Sequence, residues 1–507
     1  MTIIAAGAPR LSPETARLLP ENIRRPGYDR TRLTPGILHI GAGAFHRCHQ
    51  AEFTDDGLEA EFGPWGIVDV NLRPPDLRTM LGAQDGLYCR ELREGPAKER
   101  RLIGSVIRAH SVLAADYDPY RLTLQDALHA ALDPAIGVIS LTVTEKGYCH
   151  IPATGELNTD HPDVIHDMAH PESPVSAPGF VLRVLALRFV RGLNPPAIIS
   201  CDNVPDNGST LRRSVLGLAA NDRILQSRIV EVVTFLNTMV DRIVPATRHE
   251  DVATFAAETG VADYGLVVGE PFRTWVIEDS FPGPLPPWDK AGALFVADVR
   301  PYEILKMRVV NGMQSNLCQL GVLSDIRFMA DVMAEDVFPD FVLQTIRREV
   351  APHLPGVPGI DVPDYIDTTA RRLANPALQH ETLQISTDGS QKIRQRLLEP
   401  LRAALRHGTP HDGLLLGIAG WMQYASGRNH RGEALDVRDP FAETTRAVAR
   451  ESGDAGGLVD GMLRIEAIFG TDLAENAGVK HRLTAFVSAL QRQPSREVVR
   501  AFMAGAV

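Results

Sequence analysis

The apolar run Ile37-Leu38-His39-Ile40 ends abruptly in Gly41-Ala42-Gly43, and this junction constrains the fold more than any other stretch of the 507 residues. A run of four reads as a short buried strand, and the glycines after it let the backbone reverse tightly. Four further runs read as strands: residues 66–70, 138–143, 197–200 and 265–268. Between them lie stretches of helical period, Ser176 to Arg191 and Ser209 to Asn221. Short β-rich runs alternating with helices predict an α/β fold with a largely parallel sheet.

The pattern changes near residue 282, where Pro282, Gly283, Pro284, Pro286 and Pro287 break any regular element. Beyond about residue 300 the period is helical: 302–323, 330–348, 393–406, 414–424 and 458–469, with a proline-rich loop at 352–363. The expected organisation is an N-terminal surface arm over 1–35, a dinucleotide-binding domain over 36–285, and a mostly α-helical substrate and catalytic domain over 286–507.

If the glycine turn opens a helix, a pyrophosphate can approach its backbone closely and rest at the positive helix end. His46 stands where the common fingerprint has its third glycine. An ordinary glycine turn is therefore the competing reading. The candidate cofactor contacts are Gly41, Gly43, Phe45 and Arg47. An acid beyond the second strand would bind the ribose diol and favour NAD. Asp76 fits that place better than Asp69, which lies within the strand run. A helix N-cap is the alternative role for Asp76, and Arg73 would instead suit the 2′-phosphate of NADP.

The second chemical signal is Lys306 to Gln314. On a single helix Glu303, Lys306, Asn311 and Gln314 fall within an arc of roughly 140°. The face carries an acid, a base and two amides, a set suited to moving a proton while hydride moves, without a metal. A solvated ion pair on a polar face is the bland alternative. Tyr302 and Lys306 also spell a tyrosine–lysine pair of the short-chain dehydrogenase type, although that pair normally lies in the nucleotide domain itself.

These motifs, in order, resemble the mannitol dehydrogenase family of polyol-specific long-chain dehydrogenases. The matching segments are Gly41 to Arg47 with His49-Gln50, Ser140 to Cys149, Ser200 to Pro205 with Asn207-Gly208, Met239 to Pro245, Glu270 to Asp279, Lys306 to Asn311, and Asp388 to Lys392. The resemblance implies a metal-independent, NAD-dependent oxidoreductase, with NADP still open, acting on a linear polyol or sugar acid. It implies Lys306 as general base, Asn203 and Asn311 holding the reacting oxygen, and Glu303 exchanging the proton with solvent. Asp241 and Lys392 match residues of the polyol site. A lysine base must be neutral, with its pKa drawn down to roughly 7–8 by burial or nearby positive charge. Two amides aimed at a developing alkoxide stabilise it without raising that pKa as a carboxylate would.

Two departures concern the substrate. Gln314 stands where the family usually has histidine, and Gln384 where mannitol dehydrogenases carry arginine. The wording around Gln384, Asp388 to Lys392 and Gly420-Trp421-Met422 is closer to the fructuronate reductase (D-mannonate oxidoreductase) members. A catalytically silent dinucleotide-binding regulator is the alternative that Gln314 raises, and the joint retention of Lys306, Asn311, Asn203 and Asp241 argues against it.

The remaining features are quieter. A net charge of −11 disfavours a nucleic-acid surface, and no apolar run is long enough to span a membrane. Scattered cysteines at 48, 89, 149, 201 and 318, with no leader visible at the N-terminus, point to free thiols in a reducing cytoplasm. The expected partner is the small-molecule substrate, with a monomer or small homo-oligomer. His161, His166 and His170 with Asp160, Asp163 and Asp167 read as a surface cluster and not a metal site, and Asn207-Gly208-Ser209 reads as a turn.

Overall fold

The computed structural model describes residues 7–112, 120–151 and 154–506, so the first six residues of the expected arm lie outside it. The chain divides into two compact units, one ending at Arg300 and the other beginning at Pro301.

The first unit contains the twelve strands found among the described residues: β1 (Pro35–Ile40), β2 (Gly66–Asn71), β3 (Tyr88–Glu94), β4 (Ala97–Ile103), β5 (Val106–Ser111), β6 (Val138–Leu141), β7 (Ala197–Ser200), β8 (Phe235–Leu236), β9 (Thr238–Asp241), β10 (Val267–Gly269), β11 (Thr274–Glu278) and β12 (Leu294–Val296). Six of them form the main sheet in the order β5-β2-β1-β6-β7-β8. Every pairing in it is parallel. The pleat sends Leu38, Ile40, Val68 and Val70 to one core and Ile37 and Ile67 to another. Both faces are thus covered, which is why these strands read as unbroken apolar runs.

Four of the five runs read as strands join this sheet. The fifth does not: β10 pairs parallel with β3 in a separate three-stranded sheet, β10-β3-β4. Strands β3 and β4 escape a hydrophobic reading because their inward positions include arginines. Arg90 and Arg101 are 2% and 1% exposed and are neutralised by Glu52 at 2.7 Å and Asp55 at 2.6 Å.

Two boundaries differ from expectation. The segment before β1 is more than a surface arm: Leu11, Leu19 and Ile23 are buried among Cys89, Leu102 and Phe255. The Leu11 amide donates to the Ala262 carbonyl at 2.8 Å. At the other end, 286–300 stays with the first unit. Trp288 is 1% exposed and its indole N–H donates to Thr54 Oγ1 at 2.9 Å, while β12 pairs with β11.

The second unit is helical. Its helix Arg300–Leu323 begins at the unit boundary and is buried over most of its length. The helix Asp412–Ala425 is buried from Gly413 onward. Gly417 and Gly420 allow it to approach the first helix, because a Cβ at Gly417 would collide with Asn316 and one at Gly420 would lie 2.7 Å from Leu320. The expected continuous helix over 330–348 is interrupted by turns at 333–337, between Met329–Val332 and Phe338–Thr345, and ends in a wide π turn, Ile346–Val350, while that over 393–406 is broken by a π turn, Arg394–Leu398. Each π turn is followed by a proline, Pro352 or Pro400, whose missing N–H interrupts the regular ladder.

Candidate active site

In the first unit a cavity of about 570 Å³ opens at the carboxyl ends of β1, β2 and β6. Its walls include Gly41, Gly43, Asn71 to Pro75, Thr142 to Thr144 and Lys146. Strand order reverses direction here, with β2 on one side of β1 and β6 on the other. In open α/β sheets this switch point is where ligands bind.

The glycine turn is held by its neighbours. Asn71 Oδ1 accepts the Ala42 N–H at 2.9 Å, and Asn71 Nδ2 donates to the Pro75 carbonyl at 2.9 Å. Thr142 Oγ1 donates to the Gly41 carbonyl at 2.6 Å. Gly41 has φ +94° and a Cβ there would collide with the Thr142 carbonyl, so glycine is required. Gly43 is different: the nearest atom to a Cβ would be the Gly41 carbonyl oxygen at 3.9 Å. That open backbone, on the cavity wall, fits the close approach of a nucleotide phosphate.

The other expected cofactor contacts are placed differently. Phe45 stacks on His49 with centroids 4.9 Å apart. Arg47 does not face the cavity. It is 6% exposed, donates to the Gly265 carbonyl at 2.9 Å, and lies over the Tyr88 ring. Its desolvated guanidinium is consumed in joining the glycine-turn helix to β10. Asp76 is absent from the cavity lining: it caps the helix Leu77–Met80 through the Arg78 amide and pairs with Arg78 at 2.8 Å.

Beneath the turn lies a buried cluster that the sequence reading did not single out. The β1–β2 register sets His39 opposite Asp69, and the β1–β6 register sets it opposite Ser140. The His39 and His46 rings stack with centroids 3.4 Å apart, and His46 Nε2 lies 3.1 Å from Asp69 Oδ1. Burial drives these groups toward their neutral forms, Asp69 up to about 7 and His46 down to about 3.

At the ends of β7 and β9 lie the other first-unit candidates. Asn203 is exposed on the connection after β7, and Asp241 is buried as the last residue of β9. Asp202, which the sequence reading passed over, fixes the start of this connection. Its carboxylate accepts the amides of Val143 at 2.9 Å and Thr144 at 2.8 Å. Burial, partly offset by those bonds, raises its pKa to about 7. Asn207 Nδ2 donates to the carbonyls of Asp202 and Thr238 at 2.9 Å each.

In the second unit the helix Arg300–Leu323 does carry the expected face. Lys306, Asn311 and Gln314 are buried at 4%, 6% and 7% exposure, and Glu303 is half-buried one turn before the lysine. Asn311 Nδ2 donates to Gln314 Oε1 at 3.3 Å, leaving Asn311 Oδ1 buried without a hydrogen-bond partner. Tyr302 directs its hydroxyl away to the Pro358 carbonyl at 3.1 Å. Lys392 Nζ donates to the carbonyls of Ile385 at 3.3 Å and Thr387 at 2.5 Å, bracing the turn that follows the exposed Gln384.

Among the described residues one mixed group, Cys149, His161 and Asp163, has donor atoms within 4.8 Å of one another. Two of its members are already engaged: Asp163 is ion-paired with Arg73, and His161 Nδ1 accepts the Asp163 amide at 3.2 Å.

Known proteins share this architecture over nearly the whole chain. Residues 35–290 match the mannitol dehydrogenase Rossmann domain and 298–491 the mannitol dehydrogenase C-terminal domain. D-mannonate oxidoreductase of Escherichia coli is 41% identical, covering 94% of this chain and 98% of its own. Mannitol 2-dehydrogenase of Cereibacter sphaeroides is 36% identical, covering 95% and 99%. The mannitol 2-dehydrogenase of Pseudomonas fluorescens, solved with NAD and D-mannitol, superposes with a TM-score of 0.90 at 31% identity over 98% of this chain and 99% of that one. On this combination of both domains and near-complete coverage, the chain belongs to the mannitol dehydrogenase family.

Proposed function

We propose that this chain is an NAD-dependent secondary-alcohol dehydrogenase acting on a linear sugar acid or polyol, with Lys306 as its general base. The observation that carries the reading is the buried Lys306 on one helix with Asn311 and Gln314, the pair joined by a 3.3 Å hydrogen bond. In the oxidising direction Lys306 Nζ takes the hydroxyl proton of the carbinol, and bound NAD would supply the hydride acceptor. On the same helix Asn311 holds the oxygen through that change, and Glu303 passes the proton onward. Gln314, Gln384 and Lys392 read the remaining hydroxyls and the chain end. Gly41 and Gly43 are the cofactor contacts of this reading; Arg47 and Asp76 act through structure.

The preferred substrate pair is D-mannonate and fructuronate over mannitol and fructose. Support comes from the motif wording and from the 41% identity to a D-mannonate oxidoreductase, against 36% to a mannitol 2-dehydrogenase. A silent regulatory role loses ground because such relatives are named for oxidoreductase activity. Five buried free thiols and a net charge of −11 suit a reducing cytoplasm and a small-molecule partner, with the chain as monomer or small homo-oligomer. Among the described residues no helix is long and apolar enough to cross a membrane.

The test is NADH absorbance with D-mannonate, mannitol, arabinitol and sorbitol, and with fructuronate and fructose in reverse, each with NAD and NADP. Highest kcat/KM on the mannonate–fructuronate pair is expected. Preference for mannitol would overturn the substrate assignment, and cofactor binding without turnover on any compound would overturn the enzymatic one.

A further inference from the structure

We infer that Asp163, acting on Arg73 across the nucleotide cleft, is the residue that selects the unphosphorylated ribose of NAD in this chain. The inference rests on the reading of the cavity beside Gly41 as the nucleotide site. Such sites separate NAD from NADP near the end of the second strand, where a carboxylate accepts from the 2′-hydroxyl or an arginine takes the 2′-phosphate.

Strand β2 offers no carboxylate for this. Asp69 is fully buried against His46. Asn71 spends both ends of its amide on the Ala42 N–H and the Pro75 carbonyl. Asp76 caps its own helix and pairs with Arg78. The charged side chain this end of the sheet gives to the cavity wall is Arg73, with 67% of its side chain exposed. A guanidinium so placed would by itself be a phosphate receptor, since its planar fork suits phosphate oxygens.

Arg73 is answered from a segment 90 residues away in sequence, where Asp163 forms a close ion pair with it. Among the described residues that line the cavity, Asp163 is the one carboxylate. Its position is fixed: it stands in the first turn of the helix Pro162–Ala169, whose N-cap His161 accepts the Asp163 amide at 3.2 Å. A 2′-phosphate would have to break the pair and meet the carboxylate's like charge. A 2′-hydroxyl can donate to the carboxylate while Arg73 stays paired. The chain thereby obtains from the opposite wall the acid that β2 lacks.

The test measures NADH and NADPH dissociation constants by cofactor fluorescence, and kcat/KM with each oxidised cofactor, for Asp163→Asn, Arg73→Ala and the double variant. Ion pairs this exposed contribute little to stability, so the variants should fold. Asp163→Asn should shift the NADP-to-NAD ratio toward NADP by about tenfold or more, the size expected from freeing one phosphate-binding arginine. Adding Arg73→Ala should remove the gain, which separates Arg73 from Lys146, the other cation on the wall. A ratio within about twofold of wild type, with affinities that nonetheless move, would overturn the selector role alone. A gain that survives loss of Arg73 would do the same. If neither substitution changes either dissociation constant, the assignment of the cleft itself is wrong.

Discussion

Asn71 Oδ1 accepts the Ala42 N–H at 2.9 Å, so the last residue of β2 holds the turn that follows β1. The bond links two parallel neighbours at the place where a cofactor phosphate would rest. Replacing Asn71 with alanine leaves the buried Ala42 N–H without its acceptor and frees the more exposed Pro75 carbonyl, at a cost of about 1–3 kcal/mol. The expected outcome is a rise of about tenfold in the NADH dissociation constant with a smaller change in kcat. Fluorescence titration beside chemical denaturation checks it. Unchanged NADH affinity in a destabilised protein would confine the bond to a structural role.

The two glycines of the turn should respond oppositely. Gly41→Ala combines a left-handed backbone with a collision against the Thr142 carbonyl and should lower stability by more than about 2 kcal/mol. Gly43→Ala meets no atom closer than 3.9 Å and should leave stability within about 0.5 kcal/mol while weakening NADH binding. Thermal melts with and without NADH separate the two effects.

Lys306→Ala should reduce kcat by about 10²–10⁴-fold while NADH affinity persists. In the wild type kcat should rise with pH as the lysine loses its proton, and this limb should vanish in the variant. Near-normal kcat across roughly pH 6–10 would remove Lys306 from the base role.

Gln314→His should change the ranking of substrates while the pH profile remains that set by Lys306. Gln314 accepts from Asn311 and can itself donate, but it cannot carry charge as an imidazolium can. Identical relative activities over the whole panel would mean that this side chain does not read the substrate.

The Asp69 carboxyl should leave a signature in the pH dependence of folding. Burial lifts its pKa from 3.8 to about 7. Between those values the folded state binds more protons than the unfolded chain, so stability from this group is full below the lower value and declines as pH rises to the upper one. Buried His46, lowered from 6.5 to about 3, acts in the opposite sense, contributing stability above the former that is lost as pH falls toward the latter. Asp69→Asn, uncharged at every pH, should gain on wild type by up to about 1.4 kcal/mol per pH unit between pH 5 and 7. Denaturation curves at three pH values would measure this, and a constant difference would mean that Asp69 stays ionised.

Legibility in the sequence followed burial chemistry. Strands β1, β2, β6 and β7 are buried on both faces by apolar side chains, and their runs announced them. Strands β3 and β4 hide buried arginines whose carboxylate partners, Glu52 and Asp55, lie on a helix some 40 residues earlier. No local pattern reveals such pairs. The face of Lys306 was visible because one helix carries it. Arg47 and Asp76 flank the motif that suggests cofactor contacts, yet their hydrogen bonds lead to Gly265 and Arg78. Asp163 has no motif at all, since what distinguishes it is its contact with Arg73 from across the cleft.

The glycine turn also bears on portability. Asn71, Thr142 and the Arg47 bond to Gly265 tether it to points 29, 101 and 218 residues apart in the chain. A short peptide spanning Gly41 to Arg47 would keep the motif's spelling and lose every one of these anchors. Grafting the nucleotide cradle onto another scaffold would therefore require a fragment that reaches at least to β10, and engineering it in place is the simpler course.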